Sequence, residues 1–198
     1  MANIAVRQTE HKIDPIFTER WSPRAFQEKP VPEEKLMRLF EAARWAPSAF
    51  NHQPWRFILL TSQEDKERFY PCISEGNLAW CRKAPVLVLI ISEINRDGAP
   101  NPSHSFDTGA AWGYLSLAAT MEGLATHPMT GFDFHQARSI LNIPDEYAIQ
   151  ALVAIGYQGS AEQLDEPLRQ REFPKGRRPL DELLYAGRFG EPLRGESR

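Results

Sequence analysis

Between Thr108 and Gly123 the chain reads TGAAWGYLSLAATMEG, and Gly109, Ala110, Ala111, Gly113, Leu115, Leu117, Ala118 and Ala119 leave it without a polar face. A helix apolar on nearly all sides has to be buried all round. In a chain of 198 residues this means either the central core helix of a monomer or a helix buried between two subunits. Ser105 or Asp107 is placed to cap its start. The preceding Asn95–His104, rich in Gly, Pro and Asn, reads as a surface loop.

The other periodic segments arrange themselves around that helix. Pro32–Ala46 is helical: Pro32 suits a first turn, Glu33 and Glu34 favour the positive helix end, and Leu36, Leu39, Phe40 and Ala43 form one stripe. Phe57–Thr61 reads as a strand, Glu64–Tyr70 as a short helix, and Phe134–Leu141 as another. Val86–Ile91 is aliphatic on both faces, the pattern of a central strand, and 148–156 is a further strand. Strands separated by helices predict an α+β fold, a mixed sheet with helices packed on both faces. The expectation is a single domain over 1–198, with a polar lead-in at 1–15 and a tail at 185–198, loose or lying over a partner.

Composition excludes several classes of function. Apolar residues are 42% and charged residues 25% of the chain, as in an ordinary globular protein. A net charge of −3 offers no electrostatic footprint for nucleic acid and no attraction to an anionic membrane. The longest apolar run, Ala84–Ile91, is too short to span a bilayer, and MANIAVRQTEHKID lacks a signal-type apolar core. Cys72 and Cys81 match no metal or redox spacing, and the five histidines do not cluster, so two reduced structural cysteines, no metal site and a cytoplasmic location are expected.

The polar chemistry gathers after the first long helix, in AARWAPSAFNHQPWRF (Ala42–Phe57). Pro47 stops the helix, and Ser48, Asn51, His52 and Gln53 follow before the strand. Amides carry donors and acceptors together and suit a heteroaromatic ring with mixed edges; a polar helix-to-strand loop is the plainer alternative. Upstream, alternate spacing places Arg20, Ser22 and Arg24 on one side of an extended segment, a set suited to a phosphate or to a solvated basic surface. Arg7 lies outside every motif.

Two blocks carry a resemblance. Pro47, Ser48, Asn51, Gln53, Pro54, Trp55 and Phe57 match P-S-x-x-N-x-Q-P-W-x-F, and Arg20-Trp21-Ser22-Pro23-Arg24-Ala25-Phe26 is similar to R-x-S-x-R-x-F, both patterns of the FMN-dependent nitroreductase family. The likeness runs from about Ile16 to about Leu184. It implies the nitroreductase-like fold, an interlocked homodimer with FMN at the interface, and NAD(P)H with a small-molecule electron acceptor as the reacting partners. Carried over by position, Arg20 and Ser22 hold the FMN phosphate and Arg24 lies near it, while Trp21 replaces the commoner basic residue or His. Pro47, Ser48, Asn51, Gln53 and Asn77 lie along the flavin, and Trp80 stands where some members have Lys. In THPMTGFDF, Met129, Thr130 and Gly131 flank the ring, the last two as catalytic backbone donors near its reactive nitrogen. Lys175 and Arg177, with Arg178 as a substitute, return to the phosphate from a run that is otherwise a solvated face.

The activity implied is hydride transfer from NAD(P)H through FMN to nitroaromatics, quinones or similar acceptors, in ping-pong order. Two alternatives share the bound FMN: a specialised enzyme such as a reductive dehalogenase or biosynthetic dehydrogenase, and a non-enzymatic flavin-binding protein. Anaerobic bleaching by NAD(P)H separates the enzymes from the binder, and an acceptor screen separates the two enzymes. The absence of G-x-G-x-x-G argues against a resident dinucleotide.

Overall fold

A computed structural model describes residues 7–193; the first six residues of the lead-in and the last five of the tail lie outside them. After a one-turn helix α1 (Ile16–Glu19) come α2 (Glu33–Arg44), β1 (Trp55–Leu60), α3 (Gln63–Phe69), α4 (Glu75–Cys81) and β2 (Val86–Glu93). A small hairpin β3 (Asn95–Arg96) and β4 (Ala99–Pro100) precedes α5 (His104–Met121), β5 (Ala125–Met129), α6 (Phe134–Ile140), β6 (Tyr147–Gly156) and α7 (Glu166–Arg169).

The main sheet has the order β1-β2-β6-β5, and every neighbouring pair is antiparallel. The expected mixed sheet is therefore corrected. Helices between strands suggested parallel crossovers, but α3–α4 and α6 each join antiparallel neighbours, while α5 carries the chain from β2 to β5, which run the same way but do not pair because β6 lies between them. Two-residue alternation divides the core. Leu87, Leu89, Ile91, Leu152 and Ala154 face Phe69, Trp80, Cys81 and Ala137 from the α3, α4 and α6 side. Val86, Val88, Ile90, Val153 and Ile155 face Leu36, Leu39 and Ala43 of α2 and Ala111, Leu115 and Ala119 of α5. Helices thus cover both faces, as the patterning predicts.

α5 begins four residues before the expected Thr108, at His104. Neither Ser105 nor Asp107 caps it: the preceding residue, Ser103, takes that position, and its hydroxyl donates to the Asp107 carboxylate at 2.8 Å. The other end is a Schellman close, with Gly123 at φ 70 and the Leu124 N–H donating to the Ala119 carbonyl at 2.8 Å. Lys35 donates to the Glu122 carbonyl at 2.6 Å, setting a cation at the negative helix end. All-round burial does not hold within one chain. Ala111, Leu115 and Ala119 are buried, but Phe106 is 83% and Met121 72% exposed, and Tyr114 lies open beside them.

Two further expectations change. Part of the surface loop at 95–104 is the β3–β4 hairpin, turned by Asp97 and Gly98 at φ 50 and 79. Ala125–Met129, read only as a segment after the central helix, is edge strand β5. Cys72 and Cys81 are free and buried, and burial pushes the Cys81 thiol up to about 12. No helix among the described residues is long and apolar enough to cross a membrane.

Candidate functional site

The chain leaves α1 at Arg20 in an extended conformation, so Arg20 and Ser22 fall on one side and the Arg20 Nη1 donates to the Ser22 hydroxyl at 3.4 Å. Two more guanidinium groups come alongside. Burial and the neighbouring Arg177 hold Arg20 below its usual value, and Arg7 is lowered by burial, then by Arg177 and Arg20. Among the described residues no carboxylate pairs with any of the three. Like charges gathered without a counterion form a site for an anion. Arg177 bends back on the carbonyls of Lys175 and Gly176, at 3.2 and 3.0 Å, and the Lys175 side chain is exposed. Arg24 is engaged elsewhere. Its guanidinium Nη1 lies 3.8 Å from the buried Glu172 carboxylate, whose other oxygen accepts from the Arg24 and Ala25 N–H groups at 2.6 and 2.9 Å.

Beside the arginines, a cavity of about 430 Å³ is lined by Asn77, His127, Pro128, Met129, Thr130, Gly131 and Ala151. β5 supplies one wall and α4 the other. The Gly131 carbonyl accepts from the Asn77 amide at 3.2 Å and from the Ser74 N–H at 3.0 Å. A Cβ on Gly131 would sit 2.5 Å from the Asn77 amide nitrogen, so a side chain there would displace that amide. The Thr130 and Gly131 N–H groups have no acceptor among the described residues and stand at the exposed lip of the cavity.

His127 forms part of the same wall. Its Nδ1 lies 2.9 Å from the Pro23 carbonyl, which can only accept, so Nδ1 carries the proton and Nε2 keeps a lone pair. Burial pushes its pKa down to about 4, with Arg24 and Arg20 acting in the same direction against backbone hydrogen bonds that raise it. Trp80 packs on the ring at 4.5 Å between centroids and is itself buried against Phe26.

The loop after α2 is held in an unusual shape. Phe50, Asn51 and Gln53 have φ of 49, 57 and 49, a region that costs a bulky side chain energy. The Ser48 hydroxyl accepts from the Gln53 N–H at 3.0 Å, Asp107 from the Ala49 N–H at 3.2 Å, and the Gln53 amide donates to the Asn51 carbonyl at 2.9 Å. Pro47, Phe50 and Asn51 face outward.

Comparisons with known proteins decide the family. The model of the Nitroreductase family matches residues 17–157. The chain belongs to the nitroreductase family. A solved structure titled as an oxidoreductase containing FMN is 42% identical, with a TM-score of 0.90 over 96% of this chain and 100% of that one. A Stenotrophomonas maltophilia protein whose name pairs NADH dehydrogenase with NAD(P)H nitroreductase is 31% identical over 169 residues, 75% of this chain and 86% of its own length. A Thermus thermophilus NADH dehydrogenase is 29% identical over 198 residues, 83% of this chain and 91% of its own.

Within this nitroreductase-family chain, the structure brings Arg20, Ser22 and Arg177 into one group and Asn77, Met129, Thr130 and Gly131 into another. Trp21 is part-buried without a polar contact among the described residues, and the Ser48–Gln53 loop stands on its own support. Sequence reasoning missed Arg7, His127 and Glu172. His127 adjoins the Met129-Thr130-Gly131 run, a signal that was available; Arg7 and Glu172 act across long sequence separations that no local pattern carries.

His127 gives the site an acid sensitivity. The folded protein keeps it neutral down to about 4, whereas the unfolded chain protonates near 6.5. Between those values the unfolded state binds the extra proton, so this contribution is complete above the upper value and is lost as pH falls to the lower one. The loss is on the order of 3 kcal/mol at ~1.4 kcal/mol per pH unit. Urea midpoints of wild type and His127→Gln across that window should show the steeper acid decline in wild type; parallel curves would remove the buried neutral imidazole.

Proposed function

We propose that this chain is an FMN-dependent NAD(P)H oxidoreductase, acting on nitroaromatics, quinones or similar small acceptors. The observation that carries the reading is the uncompensated guanidinium group of Arg20 and Arg177, with Ser22, standing beside a cavity whose Gly131 edge has room for no side chain. The first suits a terminal phosphate dianion, and the second keeps the Gly131 backbone packed on Asn77, leaving the exposed Thr130 and Gly131 N–H groups for a flat ring. FMN, when bound, supplies the hydride chemistry.

The residues then divide the work. Arg20, Ser22 and Arg177 bind the phosphate end, with Lys175 adding charge from the exposed segment. Arg24 keeps the adjoining backbone in place through Glu172. Asn77, tied to the Gly131 carbonyl, sets that lip of the cavity, and Met129 closes its base. The Thr130 and Gly131 N–H groups are fixed donors that need no reorganisation when charge develops nearby. Pro47 and Ser48 shape the loop that presents the Asn51 and Gln53 amides. One open face serves NAD(P)H and the acceptor in turn, which gives ping-pong order.

A homodimer completes the site. The exposed Phe106, Tyr114 and Met121 of α5 form an apolar strip that a second subunit would cover, and in that dimer the outward Asn51 loop would serve the partner's cavity. Sedimentation of the purified protein should return a dimer at all workable concentrations; a stable monomer that retains flavin would contradict the shared site.

Anaerobic addition of NADH or NADPH should bleach the flavin absorbance. Thr130→Ala keeps its N–H and should be bleached at close to the wild-type rate. Thr130→Pro removes that donor and should bind FMN yet be bleached about ten-fold or more slowly, since losing one such donor costs at least that much. Equal stopped-flow rates for the two variants would withdraw the donor role from Thr130, and no bleaching by either nucleotide would withdraw the enzyme reading.

A further inference from the structure

Arg7 has no place in either family block, yet its side chain crosses to the residues that follow α1. Its Nη1 donates to the Thr18 carbonyl at 2.9 Å and to the Arg20 carbonyl at 2.7 Å. These oxygens lie at the C-terminal end of α1, where carbonyls lack helical partners and a cation is favoured. One nitrogen therefore fixes the backbone from which Arg20 projects.

The rest of the guanidinium is unspent. A guanidinium carries five N–H donors, and Nη1 accounts for two of them. Nε is buried with no hydrogen-bond partner, and Nη2 makes no hydrogen bond to any described residue. Nε and Nη2 form the parallel edge that grips a carboxylate or phosphate with two bonds. A buried Nε–H left without an acceptor is unfavourable unless something polar arrives to meet it. Arg20 and Arg177 stand beside it, and no carboxylate among the described residues pairs with it. No acidic side chain among the described residues supplies the missing acceptor, and an anion shared by all three guanidiniums would.

We propose that Arg7 is a third phosphate-binding arginine of the FMN site, holding the Arg20 backbone with Nη1 and offering its Nε–Nη2 edge to the phosphate. The inference rests on the FMN reading above and adds a residue that the motifs do not contain. Its charge acts on the phosphate and not on the ring, so its effect should separate FMN from riboflavin, which lacks the phosphate.

The test is the affinity of apo-protein for each flavin, read by fluorescence quenching, in wild type, Arg7→Gln and Arg7→Lys. Arg7→Gln keeps an N–H donor for the carbonyls but removes the charge. It should weaken FMN about ten-fold or more, the scale of one charged hydrogen bond, and leave riboflavin unchanged. Arg7→Lys keeps the charge and should retain the larger part of the FMN preference, and raised salt should weaken FMN less in Arg7→Gln than in wild type. If Arg7→Gln lowers both flavins together, Arg7 is merely structural and the proposal falls; an unchanged FMN affinity overturns it as well. A wild-type protein that binds riboflavin as tightly as FMN would instead remove the phosphate site itself, and Arg7's role with it.

Discussion

The antiparallel pairing of β2 with β6 is the interaction on which the rest of the structure depends. β2 is buried on both faces along most of its length and β6 from Leu152 to Gly156, so their alternating side chains supply the inner surface of two separate cores. On one side α2 and α5 cover them, and on the other α3, α4 and α6 do. The order β1-β2-β6-β5 then leaves β5 at an edge, which lets its last residues turn out of the sheet at Thr130 and Gly131. A single break in the pairing, between Ile90 and Ile91, frees Gln150 to donate to Ser92 at 2.8 Å, and Ser92 in turn meets His104 at 2.7 Å. The start of α5 is tied to the central strands through that chain of side chains.

Rigid support and unused donors sit side by side at the cavity. Ser74 and Asn77 both donate to the Gly131 carbonyl, and His127 is fixed by Pro23, so the wall is held from behind. The Thr130 and Gly131 N–H groups at the lip of the cavity, and the buried Nε of Arg7 behind Arg20, have nothing to bond to among the described residues. Preorganised donors of this kind are what a bound anion or a ring gaining charge requires. The mutual repulsion of Arg7, Arg20 and Arg177 is a cost to the protein alone that a dianion would relieve.

Much of this was legible in the sequence where local pattern dictates structure. The stripe Leu36-Leu39-Ala43 reads as one helix face and is buried as one. The aliphatic run beginning at Val86 is the central strand it resembles, extended to Glu93. β5 was missed because Pro128 and His127 interrupt a strand pattern that an edge position tolerates. Ser103, not Ser105 or Asp107, takes the cap position of α5 without a side-chain capping bond, and the Asp107 carboxylate instead accepts from the Ser103 hydroxyl and the Ala49 N–H. At the site, alternate spacing pointed to Arg20 with Ser22, and only the family resemblance pointed to Met129 with Gly131. Arg7 reaching Arg20, and Glu172 reaching Arg24, are set by tertiary packing and have no local signature.

The identity of the bound group tests the central claim most directly. Acid release of the cofactor from freshly purified protein, followed by chromatography against FMN, FAD and riboflavin standards, should return FMN in stoichiometric amount. Recovery of FAD, or protein that takes up no flavin after reconstitution with FMN, would contradict a site built around one terminal phosphate.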